Sequence, residues 1–321
     1  MNITVIGCGR WGSLITWYLD HIGHRVTLYG RAASPRMQAF LTTRQNDLLT
    51  LPESVALSTA LDAALESAET VIISIGSQSL RSLLGQSELQ ALRSRTVVLC
   101  MKGLEMGTGA RLSQIAAELL HPSNTVAVWL GPGHVQEFYR GIPNCMVIDS
   151  ENEDVKRRLV QSFSSDLIRF YYGGDMIGNE VGAAAKNVVG IAAGFLDGFE
   201  MSSLKGALMS RGTREVARLI KAMGGSELSA YGLCHLGDYE ATVFSPYSHN
   251  RQFGESFVRG QDYHQLAEGY YTVKALMLLG QRYGVELPIC KAVHDILYEQ
   301  AVPRDVLDGL LRRGLTEEFY D

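Results

Sequence analysis

Three things are scarce in this 321-residue sequence. No apolar run reaches the roughly 18 residues that would suggest a membrane span. No block of basic residues interrupts a chain of formal net charge -5, which argues against nucleic acid as its main partner. None of the five cysteines, Cys8, Cys100, Cys145, Cys234 and Cys290, has a neighbour at metal-type spacing. Their odd number and wide separation fit reduced packing residues, and no metal site is expected. The N-terminus shows a strand pattern where a leader would stand, so a cytoplasmic protein is expected. What the chain does have is 46% hydrophobic residues, ample for two moderate cores, and a length that suggests two domains.

Residues 2–6, NITVI, form a short apolar run followed by GCGRWG and an amphipathic stretch at 13–21. Gly7, Gly9 and Gly12 have the G-x-G-x-x-G spacing, which permits a tight turn, close approach of backbone to a pyrophosphate, and close helix packing. Such turns are common by themselves. Here the turn follows a strand, opens a helix and precedes a second strand at 24–29, so the whole βαβ context of a dinucleotide site is present. An NAD site usually places an acid at the end of that second strand; this chain reads Tyr29-Gly30-Arg31. Arg31 can meet a 2′-phosphate, which favours NADP(H) and leaves NAD(H) open; the other reading is a solvated arginine.

Continuous apolar runs at 70–75, 96–100, 126–130 and 145–148 alternate with helical stretches such as 80–92 and 110–119. They predict an α/β, doubly wound sheet covered on both faces, with ligands at the carboxyl ends of its strands. The segments leaving those ends are Gly76-Ser77-Gln78, Met101-Lys102-Gly103 and Gly131-Pro132-Gly133. Lys102 either reaches a ligand or is an ordinary exposed loop lysine.

A last β-like run at 167–172 leads to Gly173-Gly174, so a domain boundary is expected there, dividing residues 1–174 from 175–321. Helical patterns then follow at 178–199, 204–223, 263–283 and 291–299, making the second domain mostly α. The first of these, GNEVGAAAKNVVGIAAGFLDGF, reads as a buried helix containing one lysine, Lys186. A buried ammonium needs a partner, either a structural one such as Glu180 or a chemical purpose. Residues 231–260 are polar and irregular, a long loop by pattern. Within them lie Asp238 and the run Ser248-His249-Asn250-Arg251, which suits a phosphate or, more plainly, a solvated turn.

Taken in order, the motifs G-C-G-R-W-G (7–12), S-Q (77–78), K-G (102–103), G-P (131–132) and N-E-V-G-A-A-A-K-N-V (179–188) are followed by D-G (197–198) and S-R-G (210–212). After these come G-L-C-H-L-G-D (232–238), H-N-R (249–251) and A-E-G (267–269). The chain so read resembles the NAD(P)-dependent glycerol-3-phosphate dehydrogenases of the bacterial type. The resemblance implies a Rossmann-type NAD(P)-binding domain, then an all-α substrate domain similar to the C-terminal domain of 6-phosphogluconate dehydrogenase, with the active site in the cleft between them. It implies interconversion of dihydroxyacetone phosphate and sn-glycerol 3-phosphate, a phosphorylated small-molecule substrate, and a homodimer. By position Lys186 matches the catalytic lysine, while Lys102, Asp238, Ser248 and Asn250 match residues around the substrate. Arg10, Trp11, Arg31, Lys102 and Glu268 match cofactor contacts. The Gly131 segment offers backbone N–H groups to the phosphate.

Two positions depart from the pattern. The family usually has serine where this chain has Gly133, and arginine where it has His249. A histidine, with a reference pKa of about 6.5, is only partly charged near neutrality, and Arg251 stands two residues on. The alternatives left by these departures are a reductase of a different hydroxy-ketone or phosphate ester, or a non-catalytic NADP(H)-binding sensor. In the mechanism implied, Lys186 protonates the ketone oxygen as hydride arrives. Burial and Lys102 lower its pKa, and Asp238 holds it in position.

Overall fold

The structure, a computed structural model, describes residues 1–312 with residues 317 and 318. The chain divides into two compact units. The first comprises Met1–Met101 and Leu112–Met176; the second comprises Lys102–Arg111 and everything described from Ile177 onward. The division after Met176 falls two residues beyond the expected boundary. The transfer of Lys102–Arg111 to the helical unit has no counterpart in the sequence reading. Its physical reason is Leu104, fully buried in the helical unit's core, on a short excursion closed by the Leu104–Arg111 bridge.

The first unit is an eight-stranded sheet in the order β3-β2-β1-β4-β5-β6-β7-β8. Its strands are β1 Asn2–Ile6, β2 Arg25–Tyr29, β3 Ala56–Ser58, β4 Thr70–Ile73, β5 Thr96–Leu99, β6 Thr125–Leu130, β7 Asn144–Ser150 and β8 Ile168–Tyr172. β1 pairs in parallel with both β2 and β4, bringing Ile6 opposite Tyr29 on one side and Ile73 on the other. The strand order therefore reverses beside β1, the switch point where ligands bind in doubly wound sheets. The apolar runs of β4 and β5 are buried at every position, as both-face coverage requires. β6 and β7 pair antiparallel, a local reversal that apolar runs alone do not reveal. The core beneath centres on Trp129, which meets Phe170 edge-on at 4.8 Å between ring centres. The helix expected over 80–92 is instead broken at Gly85-Gln86, giving Leu80–Leu84 and Ser87–Gln90.

The second unit is built around the helix Met176–Gly198, whose residues 178–191 are all buried. Val181, Ala184, Ala185, Val188, Ile191 and Phe195 recur at helical spacing and pack with Val216 and Ile220 of the helix Lys205–Ala222, Leu276 of Glu268–Tyr283 and Val293 of Pro288–Tyr298. Residues 231–260 are not wholly irregular. They contain a π-helical turn, Glu240–Phe244, and the helix His249–Val258, capped by Ser248. No helix among the described residues is long and apolar enough to cross a membrane, and none of their His, Cys, Asp and Glu side chains cluster as metal ligands.

Candidate active site

In the sheet unit the glycine turn is shaped by contact with β4. Gly7 has φ +117, and a Cβ there would fall 2.1 Å from the Ser74 carbonyl oxygen; one on Gly12 would fall 1.9 Å from the Gly7 oxygen. Neither position accepts a side chain, and the turn is held against the strand end. Gly9 differs. A Cβ there would meet only Arg36 Nη1, at 3.8 Å, so its face opens into space bordered by a guanidinium. Gly9 also N-caps the helix Arg10–His21, which has no side-chain cap and no acid in its first turn. The N–H groups at such an end suit an anion. Trp11 packs against Phe138 with ring centres 6.0 Å apart, and its buried indole N–H has no hydrogen-bond partner among the described residues. Arg31 is exposed just beyond β2. These residues fit a dinucleotide: an open backbone cradle, an unsatisfied buried donor, and two arginines past β2 with no acid at its end.

Gly131 and Gly133 follow β6 with φ +128 and +140. A Cβ on Gly133 would stand 2.2 Å from the Phe138 ring, so the serine usual in the resembling family would need that ring displaced. Ser77 and Gln78 form a short 3-10 turn after β4.

In the helical unit three side chains named from sequence converge. Lys102 Nζ donates to Asp238 Oδ2 at 2.6 Å, and Lys186 Nζ stands 2.9 Å from the same oxygen. The acid beside Lys186 is therefore Asp238; Glu180 pairs instead with Arg111 at 2.6 Å. Asp238 Oδ1 is buried with no hydrogen-bond partner among the described residues. Burial lowers the Lys186 pKa to about 8, opposed by Asp238 and assisted by Lys102. Lys186 is thus poised to give up a proton near neutral pH, which an ordinary lysine is not.

Two partners of this group were not singled out from sequence. Lys186 Nζ donates to Thr242 Oγ1 at 2.7 Å, and Asn187 Nδ2 donates to the Lys102 carbonyl at 2.8 Å. The available signals were the adjacency of Asn187 to Lys186 and the four-residue step from Asp238 to Thr242. Asn250 joins the same network: its Nδ2 donates to Asn187 Oδ1 at 3.0 Å, and its Oδ1 accepts from Gly269 N at 2.9 Å, just after Glu268 opens its helix.

The other members of the 248–251 run are engaged as follows. Ser248 Oγ caps its helix by accepting from Arg251 N at 3.3 Å. The His249 ring lies 2.7 Å from the Tyr263 hydroxyl. The Arg251 guanidinium turns to Asp197 at 2.7 Å and Glu255 at 3.0 Å. As it stands, Arg251 serves an internal ion cluster and not the Lys186 group.

Behind Asp238 lies a buried neutral pair. His235 Nδ1–H donates to Gly182 O at 2.8 Å and its Nε2 accepts from Tyr239 OH at 2.7 Å. Burial lowers the His235 pKa to about 4. The backbone of Asp238 donates to His235 O at 3.0 Å, so this pair anchors the turn presenting the carboxylate.

Residues 2–156 match the family described as NAD-dependent glycerol-3-phosphate dehydrogenase N-terminus, and residues 175–308 match its C-terminus. A glycerol-3-phosphate dehydrogenase [NAD(P)+] of Nitrosomonas europaea is 35% identical, with 98% of each chain covered. One of Thermoanaerobacter sp. is 31% identical, covering 100% of this chain and 99% of that protein. The crystal structure of glycerol-3-phosphate dehydrogenase from Coxiella burnetii superposes with a TM-score of 0.89 at 27% identity, covering 97% of this chain and 99% of that one.

Proposed function

Because the chain belongs to the NAD-dependent glycerol-3-phosphate dehydrogenase family, matched in both halves, we infer that it is an oxidoreductase moving a hydride between NAD(P)H and dihydroxyacetone phosphate, giving sn-glycerol 3-phosphate, and the reverse. When bound, the reduced nicotinamide supplies the hydride. Lys186 delivers a proton from Nζ to the ketone oxygen, becoming a neutral amine that recovers its proton from solvent; in the oxidative direction it takes the alcohol proton. Asp238 holds the ammonium in line, and Lys102 adds positive charge where the oxygen gains negative charge. What supports this assignment above all is the convergence of Lys102 and Lys186 on one buried carboxylate oxygen, with Lys186 lowered to about 8.

Gly7, Gly9, Arg10, Trp11 and Gly12 cradle the pyrophosphate in this reading, with Glu268 a further cofactor contact. Arg31 and Arg36 receive the 2′-phosphate of NADP(H). Gly131, Gly133, Ser248, His249 and Asn250 belong to the substrate. A cytoplasmic homodimer completes the reading and rests on the family resemblance; sedimentation of the purified chain tests the dimer. The direct test of function is NADPH and NADH oxidation against dihydroxyacetone phosphate and a panel of other hydroxy-ketones, with Lys186→Ala as control. Turnover near wild type in a folded Lys186→Ala protein would remove the lysine from the mechanism.

A second reading, a reductase of another hydroxy-ketone or phosphate ester, is favoured by the His249–Tyr263 contact at the position of a usual arginine. It predicts strong NADPH consumption with another ketone and little with dihydroxyacetone phosphate. Under the first reading His249→Arg lowers the KM for dihydroxyacetone phosphate.

A further inference from the structure

Asp197 lies on the same helix as Lys186, eleven residues further on and so three turns along it. Its carboxylate gathers three donors. Oδ2 accepts from Lys205 Nζ at 2.6 Å and Arg251 Nη1 at 2.7 Å, and Oδ1 accepts from Ser202 Oγ at 2.7 Å. Burial works to raise the Asp197 carboxyl, and the bonds from Lys205, Ser202 and Arg251 outweigh it, leaving the group below the usual range. The cluster is therefore a charged, satisfied node whose three charged members, Asp197, Lys205 and Arg251, are mostly buried, with Ser202 at its exposed edge.

Each cation also grips the backbone of the next segment. Lys205 Nζ donates to Val243 O at 3.1 Å, and Arg251 Nε donates to Ser245 O at 3.1 Å. Those two carbonyls flank the exit of the π-helical turn Glu240–Phe244, which carries Thr242. π-Turns persist where the surroundings hold them and are frequent at functional sites. The helix itself is flattened to receive the segment. A Cβ on Gly190 would fall 2.8 Å from Thr242 Cγ2, and one on Gly194 would fall 2.1 Å from Arg251 O. Lys186, Gly190 and Gly194 follow at four-residue steps on one face. One helix thus bears the reacting lysine, the clearance for its partner, and the anion that ties that partner down.

We propose that Asp197, Lys205 and Arg251 form a positioning node that sets Thr242 Oγ1 against Lys186 and so fixes the orientation of the proton donor. The proposal rests on the reading of Lys186 above. It gives Arg251 a task that does not require contact with substrate, and it gives one to the buried Lys205, which touches nothing in the Lys186 group.

The sign of one measurement separates this role from its rivals. The charged groups acting on Lys186 are Asp238 and Lys102, and those around Asp197 are Lys205, Arg251 and Glu255. Deleting a nearby cation would by Coulomb's law raise the Lys186 pKa. Withdrawing a positioned hydrogen-bond acceptor from its ammonium lowers it. NMR titration of the Lys186 ε-CH2 in protein carrying 13C-lysine reads this without any substrate, so its outcome does not depend on the identity of the ketone. In Lys205→Met the value is expected to fall by about half a pH unit or more, as it should in Thr242→Val. kcat should drop about tenfold in each with the KM for NADPH unchanged, and the double variant should be no slower than Thr242→Val alone. Lys205→Arg should restore most of the loss. A Lys186 pKa that is unchanged or raised in Lys205→Met, or effects that multiply in the double variant, overturns the proposal. If Lys205→Met does not fold, Arg251→Lys, which keeps the charge but loses the paired Nε and Nη1 donors, is read against the same criteria.

Discussion

Lys102 and Lys186 share one acceptor oxygen, Asp238 Oδ2, at 2.6 and 2.9 Å. Burial is the main cause that loosens the proton of Lys186, the more buried of the two; the Asp238 carboxylate opposes it and the Lys102 ammonium adds to it. Burial beside a second ammonium thus brings a residue that is normally too weak an acid into the range where it can give up a proton. Asp238 prevents the shift from going further.

Asp238→Asn removes that restraint. The Lys186 pKa should fall below about 8, and because reduction needs the protonated amine, the high-pH limb of the reductive kcat profile should move to lower pH. A loss of about 10- to 100-fold in kcat at pH 7.5 is expected. An unmoved limb in a folded variant would mean that the limb does not report Lys186.

Arg31→Ala and Arg36→Ala should each raise the KM for NADPH by about tenfold, the loss of one charge-assisted contact to a phosphate, with the KM for NADH changing little. Arg36 is the sharper case because its guanidinium borders the open face of Gly9. Equal effects on both cofactors would assign the arginines to the pyrophosphate and not to the 2′-phosphate.

Glu215 caps a helix other than its own. Its buried carboxylate accepts from the backbone N–H of Ile289 at 2.8 Å and Cys290 at 3.0 Å, at the start of the helix Pro288–Tyr298. Glu215→Ala strands both donors away from water and should cost about 2–4 kcal/mol of unfolding free energy. Glu215→Gln, which keeps one acceptor, should cost less. Urea denaturation measures both.

His235 makes stability depend on acid. Its folded pKa of about 4 lies below the unfolded value of 6.5, so between them the unfolded chain binds the extra proton. The His235 contribution is fully present above pH 6.5 and is lost as pH falls towards 4, by up to about 3 kcal/mol. A His235→Phe variant should lose that part of the slope of unfolding free energy between pH 4 and 6.5, whatever its absolute stability.

Much of this was legible in the sequence. The strands β1, β4 and β5 announce themselves because a parallel strand covered on both faces must be continuously apolar. Gly7 and Gly12 were readable because only glycine fits where backbone meets backbone. The helix His249–Val258 was hidden, since its polar first turn, HNRQ, looks like a turn until Ser248 is seen to cap it.

By itself the sequence determined the two-part architecture and the glycine turn after β1, because periodicity and spacing are local properties; it marked Lys102, Lys186 and Asp238 as candidates, and their roles were what the family resemblance implied. Only the tertiary structure decided who pairs with whom. Glu180, six residues before Lys186 on its own helix, went to Arg111, while Asp238, fifty-two residues away, took the lysine. Arg251 stands beside Asn250 in sequence, yet it turned to Asp197. Charge partnership in a buried site is set by which side chains the packed backbone leaves within about 3 Å of each other, and a linear pattern does not carry that distance.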